Sequence, residues 1–300
     1  MKKKTYLFAL MTMALTLGSC SDNENGIGSE TSKYITVSTS IDNMTRVATD
    51  AKGGQTFEEG DEISVYAWTG APTVAPETSE RVVNNAINKL TNGSWISTPQ
   101  MLWKNNREKH YFIGVYPTAA ISDLSAGEYT FDVNKQTESD LLVAVNKDGL
   151  SYNVDEQQPV PLTFTHVMAK LVVNLTYKNQ WGGIPTVEKV VVGNAAKEAT
   201  INYLTKVVTP STTAKEDFSL PEITENTKYV SVIIPQEEVT QLTIVIGGKN
   251  FVYDNGTPFK LESGKITTVN LEVGRDEIKL GDVKITNWED GSTFSGEALN

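Results

Sequence analysis

The sequence predicts an all-β protein with two tandem β-sandwich domains. Apolar residues alternate with polar ones in many segments, as in half-buried strands, and the longest such run spans residues 167–177. Turn residues such as Gly247-Gly248 separate many of these segments, a pattern typical of sandwiches and barrels. The length of 300 residues is enough for two domains of about 150 residues each.

The first predicted strand covers residues 34–41, where Ile35, Val37, Thr39 and Ile41 alternate with smaller polar residues. Only the segment Glu80–Leu90 has apolar residues at helical spacing. The other predicted strands are 62–68, 110–116, 128–133, 140–146, 167–177, 187–193, 199–208, 229–234, 241–247, 250–253, 266–273 and 278–288.

The predicted domain boundary lies in the stretch Gln157–Pro161, which contains two prolines just before the longest alternating run. It gives an N-terminal domain at 34–158 and a C-terminal domain at 159–300. Residues 20–33 are polar and are predicted to be a flexible tether.

The formal net charge is −11, and residues 1–19 carry three lysines and no acidic residue, so removing them leaves −14. Nucleic-acid binding and electrostatic docking to an anionic membrane both need concentrated Lys and Arg. The charge therefore argues against both kinds of partner. Hydrophobic residues make up 39% and charged residues 21% of the chain, which are globular proportions.

Residues 1–19 are predicted to be a lipoprotein signal peptide. A basic start is followed by the mostly apolar stretch Tyr6–Leu17, whose 12 residues are too few to span a membrane. Leu17-Gly18-Ser19 then precedes Cys20, an order that resembles a bacterial lipobox, in which the chain is cut before the cysteine and the thiol is acylated. Cys20 is the only cysteine, so an intramolecular disulfide is excluded.

The sequence offers little catalytic or metal-binding chemistry. The two histidines, His110 and His166, are far apart, lack neighbouring ligands at metal spacing and are predicted to be structural. No nucleophile elbow, phosphate-binding glycine loop or His-Glu-x-x-His motif occurs. Four pairs of adjacent carboxylates are predicted to be solvated charges, because neighbouring strand residues point to opposite faces; these are Glu58-Glu59, Asp61-Glu62, Glu237-Glu238 and Glu289-Asp290. We therefore expect no enzymatic activity, no cofactor and no metal.

Six segments and their order along the chain resemble the fimbrillin-like surface lipoproteins of Bacteroidetes. The resemblance extends from about Thr31 to the C-terminus. The two most specific segments are Gly60-Asp61-x-Ile63-x-Val65-Tyr66 and Phe164-x-His166-x-x-Ala169-Lys170-Leu171. The others are Tyr111–Pro117, Ser139–Ala144, Ser263–Leu271 and Ile285–Gly291. In addition, Ser21–Glu24 resembles the short acidic tag that directs such lipoproteins to the outer face of the outer membrane.

The resemblance implies two transthyretin-like β-sandwich domains and a role as a pilus subunit in surface adhesion. It also implies that a trypsin-like protease cuts after an arginine that follows the first strand, which here matches Arg46 followed by Val47. Cleavage would release residues 20–46 together with the lipid, and a strand of another subunit would fill the gap by donor-strand exchange. The expected partners are other pilus subunits in head-to-tail contact, the outer membrane through Cys20, and a host or bacterial surface ligand.

Two questions stay open at this point. The C-terminal segment 278–300 alternates only in part, so it is a weak candidate for a donor strand. The alternative hypothesis is a permanently anchored glycan-binding lipoprotein, because exposed aromatic residues can stack on sugar rings. It requires some of the tryptophans to cluster on one exposed surface; they are Trp68, Trp95, Trp103, Trp181 and Trp288.

Overall fold

The computed structural model describes residues 33–42, 56–153 and 158–288. Within these ranges it has 19 strands and very little helix: one turn, α1 (Gln136–Ser139), of 4 residues, and two 3-10 turns at Thr78–Glu80 and Asn179–Trp181. The prediction of an all-β fold is confirmed.

The strands of the first half are β1 Val37–Ile41, β2 Glu62–Thr69, β3 Val83–Thr91, β4 Ser94–Thr98, β5 His110–Tyr116, β6 Gly127–Thr130, β7 Leu142–Leu150 and β8 Val160–His166. Those of the second half are β9 Ala169–Tyr177, β10 Val187–Ala196, β11 Glu198–Asn202, β12 Val207–Pro210, β13 Lys215–Ser219, β14 Glu222–Thr224, β15 Lys228–Ile233, β16 Gln236–Ile246, β17 Lys249–Leu261, β18 Lys265–Val273 and β19 Ile278–Asn287.

Seven strands form the first sheet, in the order β1-β8-β7-β5-β2-β3-β4. Only the β1–β8 pair is parallel, and the other neighbours are antiparallel. Both faces of its centre are buried: Val65 belongs to one hydrophobic cluster, and the next residue, Tyr66, belongs to another. Residues of β2 are therefore buried without alternation, as in a strand that is covered on both sides.

The second half forms a five-stranded sheet, β14-β15-β9-β18-β19, and a four-stranded sheet, β13-β10-β16-β17. β17 of the four-stranded sheet contacts β9, β18 and β19 of the five-stranded sheet. The apolar residues of both sheets belong to one large core, which also includes one face of the seven-stranded sheet.

Three strand pairings cross the predicted domain boundary. β8, which follows the boundary, pairs with β1 and β7 of the first half. β6 of the first half pairs with β11 of the second in a separate three-stranded sheet, β12-β11-β6. The division into tandem sandwiches at 34–158 and 159–300 stays a prediction.

The helical spacing at Glu80–Leu90 comes from a β-bulge, and residues 83–91 form β3 rather than a helix. Val65 pairs with Ala86, but Ala67 pairs with Val83, which leaves one extra residue in β3. Asn85 in this bulge has φ 55°. The bulge places Val83 and Ala86 on the same buried face although they are three positions apart, which imitates a helical repeat.

Candidate functional site

The first strand, β1, is an edge strand whose only sheet partner among the described residues is β8. The parallel pairing starts with Val37 opposite Val160. Hydrogen bonds extend it at both ends: the Val160 N–H donates to the Thr36 carbonyl at 2.8 Å, and the Asp42 N–H donates to the Phe164 carbonyl at 2.7 Å. The chain is therefore held in register from Thr36 to Asp42.

The residues before β1 are held by the segment that follows β4. The Ile35 N–H donates to the Met101 carbonyl at 2.9 Å, and the Trp103 N–H donates to the Lys33 carbonyl at 3.1 Å. This short antiparallel contact fixes the start of β1 against residues that are far away in the sequence.

The inner side of β1 completes a hydrophobic core. Ile35 is 3% exposed and Val37 is 6% exposed, whereas the alternating residues Thr36 and Ser38 are exposed. This is the alternation that the sequence predicts. The buried residues that share this core are Ile63, Val65, Ala67, Val83, Ala86, Met101, Phe112, Leu142, Ala144, Val160, Leu162 and Phe164.

On the side away from β8, β1 borders an open groove of about 880 Å³ whose opposite wall is β4. The indole Nε1–H of Trp95 on β4 donates across it to the Thr39 hydroxyl oxygen at 3.0 Å. The neighbouring Ile96 is 54% exposed. β1 is thus bound by a backbone ladder on one edge and, among the described residues, by the side-chain hydrogen bond between Trp95 and Thr39 on the other.

Phe57 closes the floor of this groove with an aromatic cluster. Its ring makes edge contacts with Trp95 at 5.3 Å, Tyr116 at 5.4 Å and Phe164 at 5.1 Å between centroids. The Tyr116 hydroxyl donates to Asp61 Oδ1 at 3.3 Å. Burial, and then the charge of Asp61, raise the pKa of Tyr116 to about 12, so this hydroxyl stays protonated. Residues of three of the resembling segments therefore meet here in a structural contact.

His110 is a fully buried structural residue that supports the contact at the start of β1. Its Nε2 accepts a hydrogen bond from the Lys104 N–H at 3.1 Å, and its Nδ1 lies 3.1 Å from the Glu108 carbonyl. This pattern fits a neutral ring with the proton on Nδ1. Burial lowers the pKa of His110, and its ring packs edge-on against Trp103 at 5.0 Å.

His166 lies at the end of β8 and contacts the end of the described chain. Its ring stacks on Trp288 at 4.1 Å with an interplanar angle of 8°, and its Nδ1 lies 2.7 Å from Asp140 Oδ1. Lys170 Nζ lies 4.7 Å from the centroid of the Trp288 ring. Burial lowers the pKa of Lys170, and the charge of Asp140 opposes that shift. This cluster joins β8, β9 and the residue after β19.

The described residues contain no group of three or more His, Asp or Glu side chains placed to hold a metal ion. Of the predicted carboxylate pairs, Glu58 and Glu59 are exposed, and Asp61 bonds Tyr116. Glu289-Asp290 lies outside the described residues.

The five tryptophans do not form one exposed surface. Trp68 is 1% exposed and Trp288 is 5% exposed. The other three pack at separate places, with Trp95 against Phe57, Trp103 against Phe112, and Trp181 against Phe251. The glycan-binding alternative loses the observation on which it depended.

The predicted lipidation and maturation residues, Cys20, Arg46 and Val47, lie outside the described residues. The nearest described residues to Arg46 are Asp42, just after β1, and Thr56, just before the aromatic cluster of Phe57. In the segment 278–300, residues 278–287 form β19 in the chain's own sheet, and residues 289–300 lie outside the described ranges.

The family profile described as fimbrillin-like matches residues 45–288. The chain belongs to the fimbrillin-like family. The predicted resemblance is therefore confirmed. Among curated protein sequences, none matches this chain.

Solved structures with the same fold include proteins from species of Bacteroides and Porphyromonas. A candidate cell adhesion protein from Bacteroides uniformis has 18% identity and a TM-score of 0.64, and the match covers 86% of this chain and 100% of that one. A second candidate cell adhesion protein, from Bacteroides ovatus, has 18% identity and a TM-score of 0.62, with coverage of 85% and 98%. The tip fimbrial protein Mfa3 of Porphyromonas gingivalis has 11% identity and a TM-score of 0.50, with coverage of 77% and 95%.

Membership of the fimbrillin-like family supports the role of a fimbrial subunit at the cell surface that assembles with other fimbrial subunits. Because this is a family of fimbrial and adhesion proteins, the chain is not an enzyme. None of the helices in the described ranges is long and apolar enough to cross a membrane.

Proposed function

We propose that this fimbrial subunit is exported as an outer-membrane lipoprotein through Cys20 and matured by cleavage between Arg46 and Val47. Cleavage removes β1 together with the lipid, and a strand of a neighbouring subunit takes the place of β1. The pilus then serves in adhesion to a host or bacterial surface.

The position of β1 is the observation that supports this proposal best. β1 is the first described strand, it lies at a sheet edge, and Arg46 follows its last residue, Ile41, closely in the sequence. An edge strand at the start of a chain can leave without breaking any other strand pair. An internal strand such as β5, which pairs with both β2 and β7, cannot.

The loss of β1 creates a surface that needs a replacement. Ile35 and Val37 are buried, and burying such side chains contributes about 1.5–3 kcal/mol each, or roughly 3–6 kcal/mol together. Without β1, the backbone edge of β8 loses its partner, and Leu162 and Phe164 lose part of their cover. An unpaired edge above an apolar core is the usual acceptor for β-strand addition.

Assembly through such a site is directional, because the acceptor edge and the donor strand are different surfaces of the subunit. Contacts of this heterologous kind form open filaments rather than closed dimers. This agrees with the architecture expected of a fimbrium.

The test uses an arginine-specific protease on the chain that carries Cys20→Ser, followed by intact mass measurement and electrophoresis in SDS without heating. We expect cleavage after Arg46 to give a product that starts at Val47, accompanied by a ladder of SDS-resistant multimers. Arg107 offers a matched control, because it is exposed in a loop between β4 and β5, whereas Arg81 is buried.

Arg46→Ala should abolish both the product and the ladder, and Arg107→Ala should change neither. A ladder of equal strength from Arg46→Ala would contradict maturation at this site. A clean product without a ladder would contradict self-assembly and would indicate a subunit that needs the strand of a different protein.

A further inference from the structure

The last strand, β19, has a free edge and an inner face that is only partly covered. Val283 and Ile285 pair with Val269 and Thr267, which are both 0% exposed, so they point toward the interior of the two layers. Val283 is nevertheless 37% exposed and Ile285 is 39% exposed. Among the described strands, none pairs with the outer edge of β19.

A bulge divides this edge into two parts. Val269 pairs with Val283, but Leu271 pairs with Leu280, so β19 has one extra residue at Gly281-Asp282. The Asn270 side-chain amide donates to Asp282 Oδ1 at 2.6 Å and fixes the bulge. Because a bulge interrupts regular pairing, the part of the edge that can accept another strand runs from residue 283 to residue 288.

Trp288 shows to which edge the backbone hydrogen-bonding groups point in this part of β19. Its N–H donates to the Gly264 carbonyl at 3.0 Å, toward β18. Successive residues of a strand alternate in the direction of their hydrogen-bonding groups, so those of Asn287, Ile285 and Val283 point to the free edge.

We propose that the C-terminal segment Ser292–Leu299 adds to the outer edge of β19 as an antiparallel strand of the same chain, joined by a two-residue turn at Asp290-Gly291. Asp-Gly is a preferred pair for the type I′ turn of a two-residue hairpin, since both central residues need positive φ. The length also fits: 12 residues follow Trp288, which are enough for the turn and for a strand that reaches the bulge.

The turn fixes one register, and that register is consistent with the edge. A two-residue loop places Glu289 opposite Ser292 as a hydrogen-bonded pair, and the next such pairs fall at Asn287, Ile285 and Val283. These are the residues whose backbone groups point to the free edge. A loop longer or shorter by one residue would change this match.

The side chains fit the same register. Residues opposite each other in an antiparallel pair share a face, so Phe294 lies opposite Asn287 on the inner face, and Ala298 lies opposite Val283. Phe294 is then the diagonal neighbour of the half-exposed Ile285. On the outer face, Glu297 lies opposite Lys284, an exposed residue of opposite charge.

This inference is independent of the proposed maturation, because the edge of β19 stays the same whether or not β1 is removed. The alternative occupant of the edge is β19 of a second copy. The bulge at Gly281-Asp282 opposes that arrangement, because it interrupts the edge where the two copies would cross.

The test is disulfide pairing in the whole chain with Cys20→Ser, so that the introduced thiols have no other partner. Thr286 and Ser295 form a non-hydrogen-bonded pair in the proposed register, where Cα atoms are about 4.5 Å apart, which suits a disulfide. We expect the equilibrium constant for disulfide formation in a glutathione buffer to be at least tenfold larger for Thr286→Cys/Ser295→Cys than for two control pairs.

The controls are Thr286→Cys/Phe294→Cys and Thr286→Cys/Gly296→Cys. Their loops have nearly the same length, so the entropy of closure is nearly the same, but a shift of one residue turns one thiol to the opposite face. Gly291→Val disfavours the turn, so it should reduce the equilibrium constant of the Thr286→Cys/Ser295→Cys pair to the level of the controls. Equal constants for all three pairs would overturn the proposal, and so would a matched disulfide that forms between chains instead of within one.

Discussion

The first and the last described strands are both edge strands, but they relate to their cores in opposite ways. Ile35, just before β1, and Val37 in β1 are 3% and 6% exposed, and Thr39 and Ile41 on the same side are half-buried. β19 leaves Val283 and Ile285 at 37% and 39% exposure. The first strand completes a core, whereas the last strand leaves a layer incomplete.

The partners of the two strands explain this difference. The seven-stranded sheet curves so that β1 contacts its other edge strand, β4, and the Tyr34–Leu102 bridge joins the two ends. The layer opposite β19 stops at β17. An edge strand that meets the other edge of its sheet is covered on its inner side, and an edge strand that extends beyond the facing sheet is not.

The largest expected effect is the loss of stability when the buried face of β1 is truncated. Ile35→Ala removes a buried side chain and leaves a cavity, so we expect the free energy of unfolding to fall by about 2–5 kcal/mol. Ile285→Ala in β19 should cost about 1 kcal/mol, because part of that side chain is already in water. Urea unfolding of both variants measures the difference.

Ile96→Ala provides a control in the same sheet as β1, because Ile96 lies on the opposite edge strand and is 54% exposed. Its effect should be within about 0.5 kcal/mol, as for most surface substitutions. Equal losses for Ile35→Ala and Ile285→Ala would show that the two edges do not differ as their burial indicates.

The second effect concerns the cleaved protein that starts at Val47. A peptide with the sequence of Lys33–Asp42 should bind in the place of β1 and raise the free energy of unfolding by about 2.7 kcal/mol at a hundred times its Kd. The same peptide with Val37→Lys should have no effect, since it would bury an unpaired charge. Thermal melting with both peptides tests this, and equal stabilisation by both would mean that binding does not use the core under β1.

Strands with a clean alternation could be predicted from the sequence, and β1 and β9 are the best examples. The predicted strand 199–208 is instead a hairpin of β11 and β12. The sequence does not indicate this turn, because Tyr203 and Leu204 are residue types typical of strands. Both are buried in the structure, at 2% and 8% exposure. Likewise, the bulge at Asn85 gave β3 a helical spacing.

The candidate site could be predicted only in part, for a related reason. The buried face of β1 follows from local alternation between Ile35 and Ile41. The bond from Trp95 to Thr39 and the packing of Phe57 on Phe164 join residues far apart in the sequence. No periodicity within one segment reports such contacts, so they had to come from the fold.

A third effect links pH to the β1 side through His110. Burial lowers the pKa of His110 in the folded state, so as the pH falls through the unfolded value of about 6.5, the unfolded chain binds a proton that the folded chain does not. The free energy of unfolding therefore falls as the pH decreases from neutral, by at most about 1.4 kcal/mol per pH unit from this one group.

Urea unfolding between pH 7.5 and pH 5.5 measures this loss, and His110→Gln, which cannot titrate there, should reduce the slope. If the ring supports the contact between Trp103 and Lys33, amides of β1 should exchange hydrogen faster at the lower pH, after correction for intrinsic rates, while amides of β19 should not. An unchanged slope in His110→Gln would assign the pH dependence to other groups.

The smallest expected effect tests the β19 side through charge. If Glu297 lies opposite Lys284, the pair should contribute about 0.2–1 kcal/mol, as exposed cross-strand ion pairs do. A double-mutant cycle with Lys284→Gln and Glu297→Gln should give a coupling of this size that weakens at high salt. Lys279 is the matched control, because it lies beyond the bulge and is already close to Glu277. A coupling of Glu297 to Lys279 instead of Lys284 would place the C-terminal segment in a different register. The segment would then cover the edge of β19, but the turn at Asp290-Gly291 would not determine the pairing.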